Sequence, residues 1–269
     1  MNFWETLITT TFLQNALVAG ILASLSCGVV GSFVIVKRIS FLVGGIAHAI
    51  LGGMGIAYYL GKDPFLGALL AALLAALVIG WVNLRWKEQE DTLISALWSI
   101  GMAIGIIFIS QAPSYNVDLM AYLFGNILMV SKQQLYLMAG IDIAIIFIIV
   151  LFYKQFLAIS FDEEFAYLRG VPVIFFYLLL LCMVAITVVL LVQIVGLILV
   201  IALLALPAAI ARQYTKSLVG MMILASFLGA IFTTTGLAIS YEPDLPTGSV
   251  IVLVTGAAYL ISTLAIELR

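Results

Sequence analysis

The sequence predicts an all-α polytopic membrane protein with about eight to ten transmembrane helices. Of its 269 residues, 65% are hydrophobic and only 9% are charged. A typical soluble domain is roughly 45–50% apolar and about 25% charged, so this composition cannot form a water-facing globule of such length. Because a membrane-spanning helix takes about 20 apolar residues, spans and short turns account for the whole chain. We therefore predict a single transmembrane domain over residues 1–269.

The apolar runs are separated by charges, prolines or polar clusters, and each run is long enough to cross a bilayer as a helix. In chain order the predicted spans are 12–36, 44–60, 64–84, 93–110, 134–154, 173–192, 195–212, 218–240 and 248–266. Segment 113–131 is shorter and carries Asp118, Gly125 and Asn126, so it is predicted to be a re-entrant or interfacial helix. A tenth span is the alternative for this segment.

The basic residues predict the orientation, since the short cytoplasmic loops of membrane proteins carry an excess of Lys and Arg. With the N-terminus outside and nine crossings, most of the basic residues fall on the cytoplasmic side: Lys37, Arg38, Arg85, Lys87, Lys154, Arg169, Arg212, Lys216 and Arg269. Lys62 and Lys132 fall outside. This orientation makes both the C-terminus and the loop 155–171 cytoplasmic.

The loop 155–171 combines acidic and apolar residues in a helical pattern. Its sequence predicts a short amphipathic helix at 160–171, ended by Gly170 and Pro172. The residues of this helix that carry charge or apolar bulk are Asp162, Glu163, Glu164, Phe165, Leu168 and Arg169. The pattern fits a docking surface for another protein and fits equally well a solvated loop between two spans.

His48 is the only histidine in the chain and lies within the second predicted span, among several glycines. Polar groups at bilayer depth are costly and usually mark a transport path, although hydrogen bonding between helices is the alternative. A neutral imidazole offers one nitrogen to Zn²⁺ or Mn²⁺. The surrounding glycines let neighbouring backbones approach closely, or let the helix unwind beside a cavity.

A metal site needs further ligands, and the acidic residues of other segments are the candidates. Asp118 lies in the predicted re-entrant segment, and Glu242 and Asp244 lie in an outer loop. Asp142 is an acid within the fifth span, where it either snorkels outward or pairs with a neighbouring helix.

Several classes of function are excluded or disfavoured by what the sequence lacks. It contains no G-x-x-x-x-G-K-[ST] motif, so the chain has no Walker A loop with which to hydrolyse ATP. Its net charge of −2 and the absence of a basic run argue against nucleic acid as a partner. A membrane-embedded enzyme is disfavoured because the chain has one histidine and no clustered nucleophile.

Six stretches, taken in order, resemble the motifs of the permease subunits of ATP-binding-cassette importers for zinc, manganese or iron(II). They are RISFLVGGIAHAILGG, EDTLISALWSIGMAIGIIFIS, YLFGNIL, SFDEEFAYLRGVPV, VGLILVIALLALPAAIAR and DLPTGSVIVL. The resemblance covers residues 12–262 and implies a type II ABC importer-like permease in the inner membrane of a prokaryote.

The resemblance also implies the partners. They are a second copy of the permease, two cytoplasmic ATPase subunits that carry the ATP chemistry, an extracytoplasmic metal-binding protein and membrane lipid. The stretch SFDEEFAYLRGV is similar to the coupling helix that fits a cleft of the ATPase, which favours the docking interpretation of residues 162–170. The divalent metal ion is then the cargo, and no resident cofactor is expected.

One position departs from the family pattern D-A-x-x-H, in which an acid lies four residues before the histidine. Here that position is Gly44, so His48 matches and its usual helical neighbour does not. The site then recruits Asp118, Asp142 or Asp244, uses water and backbone carbonyls, or serves another substrate.

The predicted mechanism is alternating access, with the metal delivered to the outer loops 111–118 and 241–247 and passed along His48. One alternative keeps this architecture and carries a metal chelate, haem or a cobalamin-like cargo. Another is a secondary transporter in which Asp142 and His48 relay protons.

Overall fold

A computed structural model describes residues 3–85, 90–112, 125, 127–243 and 245–267. Within these ranges the chain forms twelve α-helices and a 3₁₀ turn at Ile127–Met129. The helices are α1 (Phe3–Thr9), α2 (Thr11–Lys37), α3 (Ser40–Tyr59), α4 (Pro64–Arg85), α5 (Glu90–Ser110), α6 (Lys132–Leu151), α7 (Tyr153–Phe161), α8 (Glu163–Leu168), α9 (Val173–Val195), α10 (Leu197–Tyr214), α11 (Leu218–Tyr241) and α12 (Thr247–Glu267).

Nine helices of the described chain are long and apolar enough to cross a membrane, namely α2 to α6 and α9 to α12. The predicted all-α polytopic class is confirmed, and each predicted span corresponds to one of these helices. The second span begins at Ser40 rather than at residue 44, because Arg38 takes a left-handed conformation with φ 61° that ends α2 and lets the next helix start at once. The predicted re-entrant segment 113–131 lies mostly outside the described residues.

The loop predicted at 155–171 is largely helical. Helix α7 buries Phe156, Ile159 and Ser160, which share one face at helical spacing. Asp162 separates α7 from α8 with an extended backbone of φ −150° and ψ 104°. The helix predicted at 160–171 is therefore shorter in the structure, where it spans Glu163–Leu168.

The described chain divides into two compact units. The first contains the described residues of Met1–Arg38, Met120–Leu151 and Leu191–Arg269, and the second contains those of Ile39–Leu119 and Phe152–Leu190. In the first unit, α2 packs against α6, α10 and α11. Small residues allow this packing, since a Cβ at Gly28 would overlap Ser226 of α11, and a Cβ at Gly31 would overlap the backbone of Leu204 in α10.

In the second unit, α3 packs between α4 and α5 through glycines on both sides. A Cβ at Gly52 would lie 2.9 Å from the carbonyl oxygen of Gly101, and one at Gly55 would lie 2.6 Å from that of Gly105. The expected close approach of backbones is confirmed, whereas α3 runs unbroken from Ser40 to Tyr59 and does not unwind.

Candidate functional site

His48 lies on α3 with 8% of its surface exposed. Its Nδ1 is 2.8 Å from the carbonyl oxygen of Gly44, one turn earlier in the same helix. A carbonyl oxygen can only accept, so Nδ1 carries the proton and donates it, and the lone pair of the neutral ring lies on Nε2. The helix that carries His48 thus sets its tautomer and leaves Nε2 as the nitrogen that is able to bind a metal.

The indole of Trp98, on α5, covers one face of this imidazole. The two ring centroids are 3.9 Å apart and the planes differ by 20°, which is a stacked arrangement. Phe41 approaches the same indole with a centroid distance of 6.1 Å. A Cβ at Gly44 would lie 3.1 Å from Cζ3 of Trp98, so the indole also closes the space in front of that glycine.

Asp142 lies on α6 and is only 2% exposed. The hydroxyl of Ser26, on α2, donates a short hydrogen bond to its Oδ1. Its Oδ2 has no hydrogen-bond partner among the described residues. The snorkelling alternative is wrong, because the side chain turns inward and ties α6 to α2.

The other proposed ligands are not gathered around these residues in the described part of the chain. Asp118 and Asp244 lie outside the described residues. Glu242 directly follows α11 and is exposed in the turn before α12. Within the described ranges, no three His, Cys, Asp or Glu side chains come together in a group that could hold a metal.

The segment around α8 is built as a separate exposed element. Asp162 caps the helix, since the backbone N–H of Phe165 donates to its Oδ1 at 2.9 Å, and Glu163 and Glu164 follow in the first turn, where the helix dipole favours acids. Gly170 ends the segment with φ 78°. This capped geometry explains why six residues form a defined helix between two longer ones.

Apolar side chains are exposed along this segment, with Tyr167 at 74% and Leu168 at 81%. Phe161 and Phe165 are exposed as well, and the guanidinium of Arg169 lies 5.1 Å from the centroid of the Phe165 ring. Large apolar groups next to acids, on a helix in which Ala166 is the buried residue, fit a surface that contacts another protein or the membrane.

Sequence reasoning identified His48 and the acidic segment but did not single out Trp98. The available indication was a tryptophan one turn before Gly101 in a predicted span rich in small residues. It could not be assigned, because the register between α3 and α5 decides which side chain meets His48.

Comparison with known proteins places the chain in a family. The model of the ABC 3 transport family matches residues 9–266. The chain belongs to this family. Its nine candidate spans within the described residues agree with a membrane-embedded ABC permease subunit.

Several similar proteins match this chain over nearly its full length. An uncharacterized membrane protein of Synechocystis sp., slr2045, is 50% identical over 251 residues, which are 93% of this chain and 89% of that protein. The manganese transport system membrane protein MntC of Listeria monocytogenes is 39% identical, covering 98% and 94% of the two chains. The structure of PsaBC from Streptococcus pneumoniae in complex with Fab matches with a TM-score of 0.87 at 39% identity, over 97% and 94% of the two chains.

Proposed function

We propose that this chain is the permease subunit of an ATP-driven importer that moves a divalent transition metal ion, with manganese as its cargo, across the cytoplasmic membrane. The observation that carries the proposal is His48, whose Nδ1 is held by Gly44 so that Nε2 presents its lone pair within an otherwise apolar helix. The names of the relatives support manganese rather than zinc or iron, since those from Listeria monocytogenes and Streptococcus gordonii are described as manganese transport or import proteins.

A single imidazole suits a transport step. An ion must enter the path and leave it again, so weak binding by few ligands serves conduction better than a complete coordination shell. Acids in the outer loops, Glu242 together with Asp118 and Asp244 outside the described residues, would raise the local concentration of a divalent cation.

The energy comes from a separate ATPase, because the sequence has no Walker A loop. We assign its docking to the segment Asp162–Gly170, whose capped helix α8 presents Tyr167 and Leu168 beside three acids. In this proposal the segment faces the cytoplasm, two ATPase subunits serve a permease dimer, and an external binding protein delivers the metal. Closure of the ATPase pair would then push on α8 and switch the permease between its outward and inward states.

The proposal is tested by the metal that cells accumulate. Cells that lack their own manganese importers would express the chain together with a partner ATPase and a metal-binding protein. We expect His48→Ala to reduce manganese accumulation about tenfold, as is typical when a metal-contacting group is lost. The control is Thr255→Ala, which removes a buried hydroxyl that donates to the Ile251 carbonyl of its own helix and should leave accumulation unchanged.

Protein in the membrane fraction would be quantified for both variants, so that loss of the protein is not mistaken for loss of transport. Unchanged accumulation in His48→Ala would contradict the proposed path and make His48 a packing residue. Accumulation of a metal chelate but not of the free ion would favour the alternative cargo.

A further inference from the structure

Trp98 stacks on His48 and faces the open side of Gly44, the two positions that correspond to the histidine and the acid of the D-A-x-x-H pattern. Gly44 and His48 lie one turn apart on the same face of α3. The indole stacks on the His48 ring at a centroid distance of 3.9 Å, and its Cζ3 lies 3.1 Å from the place of a Cβ at Gly44. One side chain of α5 therefore lies next to both positions of α3 that an acid and a histidine take in the family pattern.

The position of the indole is fixed by backbone packing. Gly101 follows Trp98 by one turn on α5, and a Cβ there would lie 2.6 Å from the Cα of Ala49, the residue after His48. The opposing Gly52 would meet the carbonyl of Gly101 at 2.9 Å. The backbones of α3 and α5 thus approach closely at these glycines, and in this register Trp98 lies beside the ring of His48.

The indole and an acidic side chain at position 44 compete for the same space. A Cβ at 3.1 Å is already tighter than ordinary van der Waals contact, and a carboxylate would extend beyond it. The presence of glycine at position 44 and of tryptophan at position 98 is therefore linked. Next to His48, the face of the indole ring lies where the family pattern has a carboxylate.

We propose that Trp98 is a positioning and specificity-determining residue for metal passage. It holds the imidazole of His48 in a fixed orientation and excludes an acid at position 44, so this face of α3 offers the cation a neutral nitrogen without a carboxylate. Because carboxylates favour Mn²⁺ and imidazole serves several transition metals, this exchange weakens retention of Mn²⁺ at the step. The inference rests on the proposed function, in which His48 lines the path.

Because the chain has a single histidine, NMR can observe the tautomer and the ring stacking of His48 directly. Protein labelled with ¹⁵N,¹³C-histidine and purified with a tag free of histidine gives the NMR spectrum of one imidazole. We expect a protonated Nδ1, an unprotonated Nε2, and ring protons moved upfield by the stacked indole. Trp98→Ala should abolish the upfield shift and lower manganese accumulation about tenfold, whereas Trp98→Phe should retain most of both.

Phe108→Ala is the matched control. Phe108 also lies on α5 and contacts α3, where its ring meets Tyr59 at a centroid distance of 5.4 Å, away from His48. It should leave the imidazole spectrum and accumulation unchanged. Ring shifts and accumulation in Trp98→Ala equal to those of the wild type would overturn the inference.

Competition for space is tested separately at position 44. Gly44→Ala adds a single methyl group against the indole and should displace the imidazole signals even if larger changes prevent folding. Gly44→Asp should lower accumulation, and Gly44→Asp with Trp98→Ala should recover it and strengthen broadening of the histidine signals by Mn²⁺. Two results would contradict the competition for space. One is a double variant in which the two losses of accumulation multiply, and the other is a set of imidazole signals that Gly44→Ala leaves unmoved.

Different results would contradict the proposed function and the inference about Trp98. Normal manganese accumulation in His48→Ala would remove the proposed function, whatever Trp98 does. Loss of accumulation in His48→Ala together with wild-type spectra and accumulation in Trp98→Ala would leave the proposed function standing and remove this inference alone.

Discussion

His48 and Asp142 are both buried within membrane-spanning helices and are held in different ways. His48 bonds to the backbone of its own helix and stacks on a neighbour, whereas Asp142 is bonded by a hydroxyl from another helix. A hydrogen bond within the helix leaves His48 able to act on an ion. The bond between Ser26 and Asp142 ties α2 to α6, so we assign Asp142 a structural role.

This structural role makes a prediction for Asp142→Asn. The amide oxygen of asparagine can still accept from Ser26, and the tie does not need an ionised group. Manganese accumulation should therefore stay within about twofold of the wild type, and thermal stability in detergent should be kept. Asp142→Ala removes the acceptor and should cost about 1 kcal/mol of stability.

The contradictory result at Asp142 is specific. If Asp142→Asn abolished transport while the protein kept its melting temperature, an ionisable carboxyl would be required. The secondary transporter with a proton relay would then gain support over the ATP-driven importer.

At the residue scale, sequence reasoning finds polar groups but not their partners. A histidine in an apolar span is visible because its cost in the bilayer is high. The stacking of His48 on Trp98 joins residues 50 positions apart, and the hydrogen bond from Ser26 to Asp142 joins residues 116 positions apart. Both contacts depend on the register between two helices, which no periodic pattern in the sequence shows. The sequence alone shows that position 44 has glycine instead of an acid, but it does not show that the Trp98 indole lies next to this position.

At the scale of helices, the contact between α3 and α5 positions the candidate site. It depends on glycines that meet backbone on the opposite helix, such as Gly101 against Ala49. Apolar runs were sufficient to predict the spans, since bilayer thickness sets their length. The division of the loop after α6 into α7 and α8 was not predicted, because it depends on Asp162 capping one helix while ending another.

Two glycine substitutions test this contact. In Gly101→Ala the new methyl group would lie 2.6 Å from the Cα of Ala49, so the helices must separate, at a cost of about 1–3 kcal/mol. Gly140→Ala, in α6, meets nothing within 4 Å and should leave stability unchanged or raise it. Thermal unfolding in detergent measures both. Equal melting temperatures for the two variants would contradict the close packing of α3 on α5.

At the scale of the whole molecule, the proposed function assigns a transport path and an ATPase-docking segment to this chain and ATP hydrolysis to a separate subunit. The family assignment gives the ABC type, and the sequence lacks the Walker A loop that would make the chain self-sufficient. In the proposed function, the exposed Tyr167 and Leu168 of α8 would bind the ATPase, so transport would depend on that partner.

The most direct test of this central claim is manganese uptake into vesicles reconstituted with the chain and a partner ATPase, with the metal-binding protein supplied on the side that corresponds to the cell exterior. We predict uptake that requires ATP hydrolysis and that falls strongly, together with ATPase copurification, in Tyr167→Ala. Tyr136→Ala, which truncates a tyrosine of similar exposure at 78% on α6, should change neither. Uptake by the chain alone under an ion gradient, without ATPase or ATP, would contradict the account.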